Sequence, residues 1–371
     1  MEKQQGRRTE GKLRLWLKGQ MRAENVWYKK VIPPWLRHLV TRPIGKLVVH
    51  KTRKPKPYQP GLYPEGINLY GLLRSEIGLS QGAKLYARAM EAGNIPHTLL
   101  NLDFMPDLPQ NDMTYDGQLV QENRYAINVV HINPPEYRDA CGTFSQKQFD
   151  RHYNICVILW ELEKLPDAWK LIFKYTNEIW VPSGFIAEAV RKETDKPVTV
   201  IPYGMETPYD GSLTRADFGL SDDDFLVLMM FDSNSFVGRK NPGGAIDAFR
   251  EAYGEKPEHV KLVIKINNPK DEDIAFVEEH IGGKARYTLI TERMAREKLN
   301  SLIRLCDVFL SLHRAEGFGL VMAEAMSLGT PAVATGWSAN TEFMPEDAAC
   351  PVDYTLVPVA GGYQYEDGTM T

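Results

Sequence analysis

The stretch SLHRAEGFGLVMAEAMSLGTPAVATG, residues 311–336, decides how the second half of the chain folds. Its pattern predicts a strand, a loop that contains Gly317 and Gly319, a short helix and a second strand. The glycines let the backbone approach a ligand closely, and the N-terminus of the helix attracts phosphate. Glu316 precedes the helix and Glu324 lies within it, and carboxylates accept hydrogen bonds from sugar or ribose hydroxyls. The alternative is a glycine-rich turn with two solvated glutamates.

Around this stretch, apolar runs alternate with helical patterns along most of the chain. Strands are predicted near residues 67–71, 97–102, 125–133, 153–160, 178–183, 198–204, 225–232, 261–267, 307–312 and 330–336. Helices are predicted near residues 79–92, 184–193, 242–254, 292–305 and 320–328. This alternation predicts parallel sheets with helices on both faces. Because the pattern restarts after about residue 197, we expect two Rossmann-like, doubly wound α/β domains facing each other across a cleft.

The charge is distributed unevenly along the 371 residues, whose formal net charge is −4. Residues 1–60 contain 16 Lys and Arg against 3 Asp and Glu, a net charge of +13, so the remainder has −17. The same segment interleaves Trp16, Trp27 and Trp35 with its basic residues. It is interpreted either as an arm that meets an anionic membrane surface or as a covering that packs on the acidic body. No nucleic-acid partner is expected, because the sequence contains no recognisable nucleic-acid module.

The run from Glu316 to Glu324, EGFGLVMAE, followed by AMSLGTPAVATGWSAN, resembles the two-glutamate signature of the retaining GT-B glycosyltransferases of family GT4. The resemblance extends from about residue 66 to the C-terminus. It implies that Glu324 binds the ribose of a nucleotide-sugar donor, and that Glu316 contacts donor sugar hydroxyls beside the reacting carbon. It also implies that the sugar and diphosphate are approached by the loop residues Gly317, Phe318, Gly319 and Leu320.

A pair of cations, Arg239 and Lys240, follows the apolar run FLVLMMFD and precedes a helix. Arginine offers a bidentate fork and lysine a point charge, and both suit a diphosphate. The alternative for this pair is an exposed basic turn. The family has an Arg/Lys pair at this junction, so the resemblance implies that Arg239 and Lys240 neutralise the leaving diphosphate.

Further candidates come from the first half of the chain. The segment from Gly71 to Gly78 resembles the glycine loop that covers the donor phosphates in this family. Many relatives have a histidine where this chain has WELE, which makes Glu161 a candidate in its place. His131, at the end of a predicted strand, and His313, just before Arg314, are interpreted as site residues or as packed histidines.

Several classes of site and location are not expected. The four cysteines are scattered without a CxxC pair, which predicts neither a zinc site nor a disulfide framework. The acidic runs at residues 222–224 and 271–273 are interpreted as solvated loops, so no metal site is predicted. No cofactor is expected beyond a UDP- or GDP-sugar donor. The chain lacks a signal-peptide core and a long apolar stretch, so we expect a cytoplasmic protein, with peripheral membrane attachment as an alternative.

Together these features predict four segments. They are a basic extension (1–60), an N-terminal acceptor domain (61–190), a C-terminal nucleotide-sugar domain (191–345) and a short tail (346–371). The expected activity is metal-independent, retaining transfer of a hexose from a nucleotide diphosphate sugar to a glycan, lipid-linked or other cell-envelope acceptor. The alternatives are a nucleotide-sugar epimerase of the same fold and a non-catalytic nucleotide-sugar-binding partner protein.

Overall fold

The structure, a computed structural model, describes residues 53–105, 108, 110–254, 258–281 and 286–359. Residues 1–52 of the predicted basic extension and residues 360–371 of the predicted tail therefore lie outside the described residues. The chain divides into two compact units. The first contains the described residues up to Val157 together with Leu171–Ile179. The second contains Ile158–Lys170 and the described residues from Trp180 onward.

The first sheet has six strands in the order β2-β1-β3-β4-β5-β6. The strands are β1 (Ile67–Gly71), β2 (His97–Asn101), β3 (Ile127–His131), β4 (Tyr153–Val157), β5 (Glu178–Val181) and β6 (Val198–Val200). The pairs β1–β2, β1–β3 and β3–β4 are parallel. The helices in this part of the chain are α1 (Gly78–Ala92), α2 (Pro134–Thr143) and α3 (Gly184–Arg191).

A row of buried amides fixes the register of the first sheet. Asn68, Asn128 and Asn154 are paired neighbours on β1, β3 and β4. Asn68 Nδ2 donates to Asn128 Oδ1, and Asn128 Nδ2 donates to Asn154 Oδ1, both at 2.9 Å. Thr98 Oγ1 on β2 extends the row by donating to Asn68 Oδ1 at 2.9 Å. A slip of one residue would leave these buried polar groups unpaired, so the row specifies one register.

The second sheet also has six strands, in the order β12-β11-β10-β7-β8-β9, and every neighbouring pair is parallel. The strands are β7 (Phe225–Asp232), β8 (Val260–Asn267), β9 (Tyr287–Ile290), β10 (Val308–Ser311), β11 (Ala332–Thr335) and β12 (Cys350–Val352). The helices are α4 (Val237–Lys240), α5 (Pro242–Tyr253), α6 (Asp271–Ile281), α7 (Arg296–Leu305) and α8 (Leu320–Ser327). Short 3-10 turns lie at Asp116–Gln118, Gln146–Gln148, Asp167–Lys174, Arg215–Phe218 and Ala339–Glu342.

Strand β7 explains why both faces of this sheet are covered. Leu226 and Leu228 belong to a core cluster that contains residues of α7 and α8. The intervening Val227 and Met229 belong to a second cluster that contains residues of α5 and α6. Since side chains alternate between faces along a strand, the continuous apolar run FLVLMMFD serves both clusters.

The prediction of two parallel-sheet α/β domains is confirmed. Helices α2, α4 and α6 and strands β9 and β12 are additional to the predicted elements. The expectation of a solvated loop at residues 271–273 is wrong, because these residues form the first turn of α6. Carboxylates are favourable there, since they face the positive end of the helix dipole. The predicted tail contains β12, which is the edge strand of the second sheet. None of the helices in the described part of the chain combines the length and hydropathy that a membrane span requires.

Candidate functional site

The candidate site lies in the second unit, where the order of strands reverses. The chain passes from β7 to β8 and β9 on one side, and then returns to place β10 on the other side of β7. Ligands bind beyond the carboxyl ends of strands at such a reversal. Arg239 lies in the short helix α4 that follows β7, and Arg314 lies in the loop that follows β10. The Arg314 N–H donates to the Arg239 carbonyl at 2.7 Å. The two loops with the strongest sequence signals are therefore in contact.

A cluster of opposite charges occupies this place. Lys240 Nζ donates to Glu316 Oε1, and Arg239 Nη1 lies 3.0 Å from the same oxygen. Arg239 Nε also lies 3.4 Å from Glu161 Oε1, so the guanidinium stands between two carboxylates. Its orientation is fixed by bonds to Ala315 O (2.8 Å) and Ser235 Oγ (2.9 Å). Contacts with neighbouring residues therefore fix the positions of both cations.

Glu316 is an ionised carboxylate at neutral pH, although only 7% of the residue is exposed. Burial alone would raise its pKa, but the charges of Lys240 and Arg239 outweigh burial and lower the pKa to about 2. Glu316 therefore accepts hydrogen bonds and has no proton to donate under physiological conditions.

The backbone of Glu316 is clamped by the loop that follows β11. Glu316 N–H donates to Ser338 Oγ at 3.0 Å, and Ala339 N–H donates to Glu316 O at 3.2 Å. Ser338 has a φ of +78°, a conformation that costs free energy in any residue other than glycine. The strain places the serine hydroxyl on the Glu316 amide. The segment WSAN contains no local pattern that points to this role.

His313 also contacts the loop that follows β11. Its Nε2 lies 3.0 Å from Asn340 Oδ1 and its Nδ1 lies 3.1 Å from Ser311 Oγ. Asn340 Nδ2 already donates to Thr335 O at 2.9 Å, so Oδ1 must accept from the imidazole. Burial, with a contribution from Lys240, lowers the pKa of His313. The histidine is thus a neutral, doubly bonded support, which accounts for its position without a contact to a ligand.

The loop Gly317–Gly319 requires glycine for two different reasons. A Cβ on Gly317 would lie 2.6 Å from Trp160 O, and Ser183 Oγ donates to Gly317 O at 2.9 Å. Gly319 has a φ of +95° and precedes the first residue of α8, Leu320. No side chain caps α8, so its first backbone N–H groups remain available to an anion.

Two further residues of this segment have their side chains engaged within the second unit. The Phe318 ring packs edge-on against Tyr203, with centroids 5.1 Å apart, and also contacts the Phe343 ring. Glu324, on α8, is 3% exposed and forms an ion pair with Arg296, the first residue of α7. The local sequence contains no signal for Arg296, because its partner lies on a different helix.

The remaining predicted site residues belong to the first unit. Gly71 ends β1, and a Cβ there would lie 2.7 Å from Ala83 Cβ of α1. Gly78 begins α1 in open space, with nothing within 4 Å of an added Cβ. His131 ends β3 fully buried, edge-on to the Tyr86 ring, and burial lowers its pKa to about 3. Gly71 and His131 thus both have packing roles.

In the described residues, no three His, Cys, Asp or Glu side chains are grouped as a metal site requires.

Part of the second unit matches a known protein family. Residues 213–346, about a third of the chain, match the family model of glycosyl transferases group 1. A stretch of 134 residues is 34% identical to D-inositol 3-phosphate glycosyltransferase of Mycobacteroides abscessus. The match covers 34% of this chain and 28% of that protein. The chain is therefore aligned with little more than a quarter of the relative.

Solved structures resemble this chain over a larger part of its length. A glycosyltransferase from Rickettsia africae is 12% identical, with a TM-score of 0.59, over 78% of this chain and 85% of that chain. Anabaena HepE, crystallised with UDP and glucose, is 15% identical, with a TM-score of 0.53, over 75% of this chain and 83% of that chain. At this identity the likeness shows the fold, a pair of parallel-sheet α/β domains of the GT-B kind.

Proposed function

We propose that this protein is a retaining, group 1 type glycosyltransferase that moves a hexose from a nucleotide diphosphate sugar. The observation that carries the proposal is the convergence of Arg239 and Lys240 on Glu316 at the uncapped start of α8. Such a group supplies cations for a diphosphate, amides for its oxygens and a carboxylate for sugar hydroxyls. The group 1 match over residues 213–346 supports the same activity.

The leaving diphosphate would be stabilised by charges that are already in place. Arg239 and Lys240 are 14% and 22% exposed in their side chains, and each is held by a carboxylate, so neither must reorganise when charge develops. Uncapped amides at the start of α8 add donors for the same oxygens. These protein groups can stabilise the negative charge of the leaving diphosphate without a metal ion, which supports metal-independent transfer.

Glu316 would orient the donor sugar rather than transfer a proton. Its depressed pKa keeps it an acceptor, and its backbone is clamped on both sides, so a sugar hydroxyl would meet a fixed oxygen. Glu324 has a second carboxylate oxygen beyond the one paired with Arg296, which suits a ribose hydroxyl. Retention by attack on the face that the diphosphate leaves requires this positioning and no side-chain nucleophile.

The test is turnover of UDP- and GDP-sugars by the full chain, in the presence of EDTA, followed as release of nucleoside diphosphate. We expect turnover with EDTA present. Glu316→Gln should lower turnover by about 10- to 150-fold, the loss of a hydrogen bond to a charged group. Glu324→Gln should mainly weaken donor binding, and Glu251→Gln, an exposed change on α5, is the matched control.

Other outcomes would identify the alternatives. Isomerisation of the donor sugar without an acceptor would identify an epimerase. Binding of donor without turnover would identify a non-catalytic partner protein. Loss of activity in EDTA that Mg²⁺ restores would contradict metal independence. The acceptor class that we propose is a glycan, a lipid-linked sugar or another cell-envelope molecule, met at the cytoplasmic face of the membrane; its support is the +13 charge of residues 1–60.

A further inference from the structure

Lys265 is a buried lysine on β8 that the proposed function does not yet use. It is 1% exposed, and its paired neighbours on the adjacent strands are Met230 and Ile290. Its ammonium donates to the carbonyl of the next residue, Ile266, at 2.9 Å. Among the described residues it forms no ion pair, so two of its three N–H donors have no protein partner. A buried ammonium with so little compensation is costly, which points to a ligand.

The ammonium lies toward the carboxyl edge of the second sheet. Burial lowers the pKa of Lys265, and two carboxylates partly oppose this, Glu292 and Asp232. Asp232 is the last residue of β7 and Glu292 follows the end of β9. The lysine is thus bracketed by the carboxyl ends of both neighbouring strands, the edge at which ligands of such sheets bind.

The side chain also lies on the sheet face that α7 and α8 cover. Val263, two residues earlier on β8, shares a core cluster with Met230 and Ile290, and that cluster includes residues of both helices. Since side chains two apart on a strand point to the same face, Lys265 points to this one. The anion-binding start of α8 and Glu324 lie on the same helix layer.

Under the proposed function, the donor nucleotide would lie along this layer. From the diphosphate at the start of α8, the ribose would meet Glu324 within that helix. Glu324 is paired with Arg296, the first residue of the helix that follows β9. A base attached to that ribose would extend toward the ends of β8 and β9. This step rests on the proposed function.

We propose that Lys265 recognises the base of the donor nucleotide by donating a hydrogen bond to a ring carbonyl oxygen, directly or through one ordered water. Uracil and guanine present such an oxygen. Adenine presents an amine at the matching position, a donor that opposes the ammonium. The site would therefore favour uridine or guanosine diphosphates over adenosine diphosphate.

The experiment compares the affinities of the full chain for UDP, GDP and ADP by calorimetric titration. Wild type should bind UDP or GDP more tightly than ADP. Lys265→Met should weaken binding of the preferred nucleotide by about 10- to 150-fold and leave ADP nearly unchanged. Lys265→Gln, whose amide still donates, should keep part of the preference. Lys261→Met, on the same strand at its opposite end, is the matched control and should keep all of it.

Thermal unfolding separates recognition from support of the fold. Removal of an uncompensated buried charge should leave the melting temperature of Lys265→Met equal to or above that of wild type; should that variant not fold, the preference of Lys265→Gln decides. Three results would overturn the assignment of Lys265 and leave the proposed function standing. They are an unchanged preference in Lys265→Met, an equal loss of affinity for all three nucleotides, and a wild-type preference for ADP. Failure of wild type to bind any of the three would overturn the proposed function and this inference with it.

Discussion

Glu316 shows how one residue depends on its neighbours for its charge. The carboxylate stays ionised in a buried position because Lys240 and Arg239 adjoin it, and neither cation lies near it in sequence. The same arrangement ties protein stability to pH. A carboxyl whose pKa is lower in the folded than in the unfolded chain stabilises the fold above its unfolded pKa, and this contribution is lost as pH falls through the folded pKa.

We therefore expect Glu316→Gln to lower the free energy of unfolding by about 3 kcal/mol at pH 7. The difference from wild type should shrink between the ordinary carboxyl pKa of 4.5 and the folded value of about 2. Urea unfolding at a series of pH values from 7 to 3 measures this, with Glu251→Gln as the control. A difference that stays constant over the acid range would mean that Lys240 and Arg239 do not set the charge of Glu316.

At the scale of an element, the loop before α8 depends on close backbone approach. The Gly317 Cα lies so near Trp160 O that an added methyl carbon would lie 2.6 Å from that oxygen. At the start of α1, Gly78 meets nothing within 4 Å and its φ is not positive. The family resemblance includes both glycines, but only the Gly317 position lacks room for a side chain.

Gly317→Ala should destabilise the protein by about 1 to 3 kcal/mol, because the added methyl forces the backbone apart. Gly78→Ala should be neutral or stabilise by about 0.4 to 1 kcal/mol, because alanine restricts the unfolded chain. Chemical denaturation of both variants gives the comparison. Equal effects would contradict the close approach, and a loss of donor affinity in Gly78→Ala without a loss of stability would favour a direct role for the first glycine loop.

Strand β7 follows from the local sequence, because the run FLVLMMFD has the bounds of the strand. Strand β1 also has its predicted bounds, although the buried Asn68 interrupts its apolar run. Helix α6 was missed because its acidic first turn is also typical of a solvated loop, and the short strand β12 gains its partner only from β11. Local periodicity determines burial on one face, but an edge strand depends on what lies beside it.

At the scale of the whole molecule, the basic segment is the feature with two interpretations. Its described end, residues 53–60, packs on the first unit: Arg53 pairs with Asp150, and the Tyr58 ring lies 5.4 Å from that of Tyr153. Residues 1–52, with most of the positive charge, lie outside the described residues. The contacts at 53–60 anchor the segment to the first unit whichever interpretation holds.

We expect the intact chain to float with anionic vesicles at low salt and to be released at high salt, because exposed lysines and arginines near such a surface contribute about 1 kcal/mol each. A chain that begins at Arg53 keeps the anchoring contacts and should stay in the soluble fraction with an unchanged melting temperature. Vesicles of neutral lipid are the control. An intact chain that ignores anionic vesicles, or a shortened chain that unfolds, would favour packing on the body.

The alternation of strands and helices and the glycine-rich start of α8 follow from the local sequence, because apolar periodicity and glycine positions act over a few residues. The charges that pair with one another depend instead on the fold. Lys240 follows β7 and Glu316 follows β10, and they pair because β10 lies beside β7 in the sheet. The pairing of Arg296 with Glu324 and the burial of Lys265 have the same origin. Contacts between residues far apart in sequence depend on strand order, which local patterns do not encode.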